Sequence, residues 1–88
     1  MKEERSAITW KEDETVEAAV LRQLLDLHPA QLTLPELTRE LTVGDGFAER
    51  DAVERAVRDL SSVGLVHRAS EFVAPTRAAV RFSELLDR

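Results

Sequence analysis

The sequence predicts a mainly α fold that carries one small β-hairpin, and three observations predict it. Val53, Ala56, Val57 and Leu60 recur at i, i+3, i+4 and i+7, the spacing of one helix face. Gly64 then interrupts, and Leu65-Val66 opens an extended run that can pair with Phe72–Ala74. Thr33-Leu-Pro-Glu36 carries the Thr-x-x-Glu spacing of a capping box, with a proline in the first turn, where a missing N–H costs nothing.

Taken in order, residues 1–12 read as an irregular arm holding two apolar anchors, Ile8 and Trp10, in charged surroundings. A second Thr-x-x-Glu pair, Thr9 and Glu12, marks the first helix as starting there or a few residues later. That helix should run to Leu27 or His28, where Pro29 ends it. Its main apolar row is Val16, Ala19, Val20, Leu24 and Leu27; a second row, Ala18, Leu21 and Leu25, projects from nearly the opposite side and needs a partner of its own.

Gln31-Leu-Thr33 reads as a minimal strand, and the second helix covers Leu34 to Leu41 with Leu34, Leu37 and Leu41 inward. Thr42-Val-Gly-Asp-Gly46 is a turn whose glycines permit positive φ. Phe47 is expected to plug the core ahead of the third helix, about 49–62. A hairpin turning near Ser70-Glu71 follows, then a last helix over 76–87 in which Ala78, Phe82, Leu85 and Leu86 share a face. The organisation is therefore an arm, 1–12, and one domain, 13–88.

At 88 residues the chain holds one small domain with a modest core. It has no cysteine, which excludes disulfides, thiolate metal ligands and thiol nucleophiles. No apolar stretch approaches the length needed to span a bilayer and no apolar run follows the charged amino terminus, so a cytoplasmic protein without a membrane role is expected. The net charge of −5 is unevenly placed: through Gly46 there are five bases against ten acids, and from Phe47 onward seven arginines face seven acids. Arginine is the side chain best suited to bidentate contact with phosphate or guanine.

From about Val16 to Leu86 the chain resembles the winged helix-turn-helix domain of bacterial transcription regulators. The residues that carry the likeness are Leu32-Thr-Leu-Pro-Glu-Leu-Thr-Arg-Glu-Leu41 as the positioning helix, Ala52-Val, Ala56-Val and Leu60 as the recognition helix, and Val63-Gly-Leu-Val66 entering the wing. The resemblance implies a regulator whose third helix lies in the major groove of double-stranded DNA while the wing approaches the flanking backbone. Carried over, it implies Arg50, Arg55 and Arg58 on the outer face of the third helix and Arg68 at the wing. Thr33 and Thr38 would add contacts from the second helix, and Ser61 or Ser62 would reach a phosphate. Against this stand two rows of alternating sign, Arg50–Glu54–Arg58 and Asp51–Arg55–Asp59, and a wing tip, Ala69-Ser-Glu71, that lacks bases.

The second apolar row of the first helix points to a homodimer through Ala18, Leu21, Leu25, Phe82, Leu85 and Leu86, unless the last helix, or Ile8 and Trp10, cover that row within one chain. A dimer would set two recognition helices ~34 Å apart, about one DNA turn. Net acidity and the self-paired helix face keep open the alternative of a protein-interaction module with the same fold. His28 and His67 are too few and too far apart to announce a metal site. Serines 61 and 62 have no adjacent base, and no phosphate loop or nucleophile elbow is present, so no enzyme and no cofactor are expected.

Overall fold

The computed structural model describes the backbone over residues 2–42 and 50–87, and the side chains of 13–41 and 50–87. The elements are α1 (Lys2–Leu27), β1 (Leu32–Thr33), α2 (Leu34–Thr42), α3 (Arg50–Ser62), β2 (Val66–Ala69), β3 (Phe72–Pro75) and α4 (Arg77–Leu86). The three strands form one antiparallel sheet in the order β1-β3-β2. Leu32 opposes Val73 across one edge, and Val66 opposes Pro75 across the other. Val43, the Gly44–Gly46 turn and the core plug expected of Phe47 lie outside the described residues.

One expectation is overturned at the amino terminus. The backbone of the segment read as an irregular arm, 1–12, is helical from Lys2, so Thr9 and Glu12 lie inside a helix and not at its start. The physical reason is composition: Lys, Glu, Arg and Ala are good helix formers, and a long helix absorbs an interior Thr-x-x-Glu pair at small cost. The side chains of Ile8 and Trp10 are outside the described set.

The remaining boundaries follow local chemistry. The Thr33 hydroxyl accepts from the Glu36 N–H (3.3 Å), and the Thr33 N–H donates to the Glu36 carboxylate (2.9 Å), the reciprocal bonds of a capping box. At the end of α3 the Leu65 N–H donates to the Leu60 carbonyl (3.0 Å) and the Gly64 N–H to the Ser61 carbonyl (3.2 Å), with Gly64 at φ +86°. That is a Schellman C-cap, and glycine suits it because the left-handed region costs it nothing. The hairpin turns on Ser70-Glu71, with Ser70 at φ +60°.

The core is a single apolar cluster to which every layer contributes: Val16, Val20 and Leu24 from α1, Leu37 from α2, Val53, Ala56, Val57 and Leu60 from α3, Val66 and Val73 from the hairpin. Leu34 and Leu41 pack against it, as does Leu21 from the second row of α1. Leu27, expected in the main row, is instead 37% exposed, because it falls in the last turn of α1, past the layer that α2 and α3 cover. Among the described residues no helix is long and apolar enough to cross a membrane.

Candidate nucleic-acid interface

The α2–α3 pair presents the residues on which a nucleic-acid contact would depend. Burial of Val53, Ala56, Val57 and Leu60 fixes the rotation of α3 about its axis, since all four must face the core. Arg50, Asp51, Arg58 and Asp59 are thereby exposed. Between α2 and α3 lies a shallow depression lined by Leu34, Pro35, Thr38, Arg39 and Arg50.

The arginines of α3 have three different fates. Arg50 is 77% exposed and its Nε donates to the Glu54 carboxylate at 3.3 Å along the helix. Arg55 does not join Asp51 or Asp59; its guanidinium crosses to α1 and donates to Asp13 at 2.9 Å. That hydrogen bond, reinforced by the Asp13 charge, holds Arg55 still more firmly protonated than usual. Arg58 is exposed and makes no ion pair among the described residues. Arg68 on β2 is likewise exposed and unpaired among them. By the period-2 alternation of a strand it shares a sheet face with Val66.

The two flanks of α3 consequently differ in sign. Toward α2 stand Arg39 and Arg50, and Arg58 continues the i, i+4 row that Arg50 and Glu54 begin. Toward α1 the acids gather: Asp13 holds Arg55, and Glu17 faces Asp59. Burial pushes the Glu17 carboxyl above its ordinary range, and the charge and hydrogen bond of Asp59 raise it further.

The hydroxyls expected at phosphates are engaged locally. Thr33 caps α2, and the Thr38 hydroxyl donates back to the Leu34 carbonyl at 2.9 Å. Ser62 donates to the Asp59 carbonyl at 2.7 Å and remains exposed. Ser61 fits the expected role least: its Oγ is shut off from solvent and has no partner among the described residues, because position 61 turns toward the side of α3 covered by its neighbours. Arg39 is the residue that sequence reasoning passed over. It follows Thr38 on the exposed face of α2, and its place beside Arg50 depends on the α2–α3 crossing, which local spacing does not encode.

No family model, no curated protein and no solved structure matches the chain. The two histidines are apart and exposed, and no group of three potential metal-ligating side chains occurs among the described residues.

The second apolar row of α1 lies at a separate surface. Ala18, Leu21 and Leu25 meet Phe82 and Leu86 of α4 along one open groove. Of the six residues expected there, Leu85 is the exception: it does not line the groove and is 49% exposed, since position 85 is turned about 100° from Leu86 around α4.

Proposed function

We propose that this chain is a winged helix-turn-helix protein that binds double-stranded DNA as a transcriptional regulator, with α3 as the reading helix and the β2–β3 hairpin as the wing. The observation that carries the reading is the juxtaposition of α2 and α3. They hold Arg39 and Arg50 on either side of one shallow depression, with Arg58 exposed further along α3. The element order and the β1-β3-β2 sheet fit the same reading. In it Arg50, Arg58 and Arg39 supply phosphate and base contacts, Arg68 approaches the backbone from the hairpin, and Arg55 is largely withdrawn because Asp13 already occupies it. Three or four basic side chains make a small electrostatic footprint, so a weak complex with a modest salt slope, on the order of 3, is expected of one chain.

The test is fluorescence anisotropy with a mixed-sequence duplex at low salt, followed by a salt titration of the wild type, Arg50→Ala/Arg58→Ala and Arg55→Ala. The double variant should lose about tenfold or more in affinity and lower the slope of log K against log salt by about 2. Arg55→Ala should change both far less. Absence of binding at low salt overturns the DNA reading. The acidic flank formed by Asp13, Glu17 and Asp59 favours a protein-binding module of the same fold as the second reading, and that result would select it.

A further inference from the structure

We infer that Asp13 limits how tightly α3 grips DNA: its carboxylate holds Arg55 where a phosphate would, and a duplex must displace it to recruit that guanidinium. The inference rests on α3 being the reading helix. At about 100° per residue, burial of Val53, Ala56, Val57 and Leu60 leaves Asp51, Arg55, Arg58 and Ser62 closest to the line opposite the core. Arg55 thus starts from the middle of the outer face, better aimed at a groove than Arg50, which lies toward α2. Its guanidinium nevertheless reaches sideways to α1 and donates to Asp13 at 2.9 Å.

A carboxylate and a phosphate present a guanidinium with the same chemistry, oxygens that share a negative charge. Asp51 and Asp59 stand four residues from Arg55 on α3 itself, yet they act on it through charge alone, and Asp59 is hydrogen-bonded to Glu17. Without Asp13 those two offer only i, i+4 attraction, worth about twofold each. The Arg55 and Asp13 side chains are 44% and 28% exposed, so water and salt weaken their pair to a preference of about fivefold at most. That keeps the arginine occupied in the free protein and still lets a polyanion compete for it. Engaging a phosphate through Arg55 also leaves the Asp13 carboxylate beside the duplex, where like charge opposes docking. Asp13 is therefore a positioning residue that acts on DNA through Arg55.

The experiment extends the anisotropy salt titration to Asp13→Asn, Asp13→Ala, Asp13→Asn/Arg55→Ala and Glu14→Gln, with a circular dichroism melt of each. Asp13→Asn keeps the shape and removes the charge. It should bind about three- to tenfold more tightly at low salt and steepen the slope of log K against log salt by about 1, the release expected of one further phosphate contact. Asp13→Ala, which removes the acceptor as well, should do at least as much. Arg55→Ala in the Asp13→Asn background should erase both gains, although alone it changes little. Glu14 is exposed next to Asp13 on α1, so Glu14→Gln removes the same charge without freeing an arginine. It should leave the slope unchanged and alter affinity by less than about twofold. Binding by the wild type with no steeper slope in either Asp13 variant overturns the inference and leaves the DNA reading standing. A gain that survives Arg55→Ala, or that Glu14→Gln matches, belongs to net charge and overturns it too. No binding by any of these proteins overturns the DNA reading and the inference with it.

Discussion

Glu17 sits half-buried where α1 meets α3, with Asp59 as an acidic neighbour across the two helices. Its raised pKa is a statement about stability. Between its ordinary 4.5 and the higher folded value, the folded protein holds a proton that the unfolded chain releases. This contribution to stability is therefore fully present below the unfolded value and is lost as pH rises through the folded one. At neutral pH the charged carboxylate is a cost. Glu17→Gln, which keeps a hydrogen-bond donor for Asp59, should raise the melting temperature at pH 7, and its advantage should vanish below about pH 4.5; thermal melts of both proteins across that range check the sign. An equal Tm at pH 7 would refute the assignment. The capping pair Thr33–Glu36 was legible from the sequence because its partners are three residues apart. The Asp13–Arg55 pair was not: its partners are 42 residues apart, and local i, i+4 rules point Arg55 to Asp51 or Asp59 instead.

Thr76 joins two elements through one hydroxyl. It accepts from the Ala79 N–H (3.2 Å) as the N-cap of α4 and donates to the Gly64 carbonyl (2.8 Å) at the end of α3. The Thr76 N–H closes the base of the hairpin on the Leu65 carbonyl (3.0 Å). Thr76→Val keeps the shape of the side chain and removes both hydroxyl bonds, so it should cost about 1–2 kcal/mol in urea unfolding, whereas Thr76→Ser should be close to neutral. Element boundaries near such signals were readable: α2, α3, the hairpin and α4 begin and end within a residue or two of their expected positions. The start of α1 was not. A capping-box spacing at Thr9 and Glu12 competed with the helical propensity of the whole stretch from Lys2, and propensity summed over more than two turns prevailed.

Taken whole, the molecule is organised around α1, which packs against α2, α3, α4 and β3 and is 26 residues long in a body whose longest extent is 42 Å. Leu24 is fully buried at the centre of the core. Leu24→Ala should therefore cost about 2–5 kcal/mol, a large share of the stability of a domain this size, and lower the melting temperature by more than about 10 °C in a calorimetric scan. A fall of only a degree or two would mean that the core closes over the gap. From residue 13 onward the sequence by itself determined which segments are helical, where the hairpin turns, and which face of α2 and of α3 is apolar. These follow from periodicity and from caps whose atoms lie within a few residues of each other. Only the tertiary structure decided that Arg55 belongs to Asp13, that Ser61 turns its hydroxyl inward, that Arg39 stands beside Arg50, and that the second row of α1 faces an open groove. Each of these depends on how helices far apart in the chain cross, and crossing geometry is set by the packing of the core as a unit.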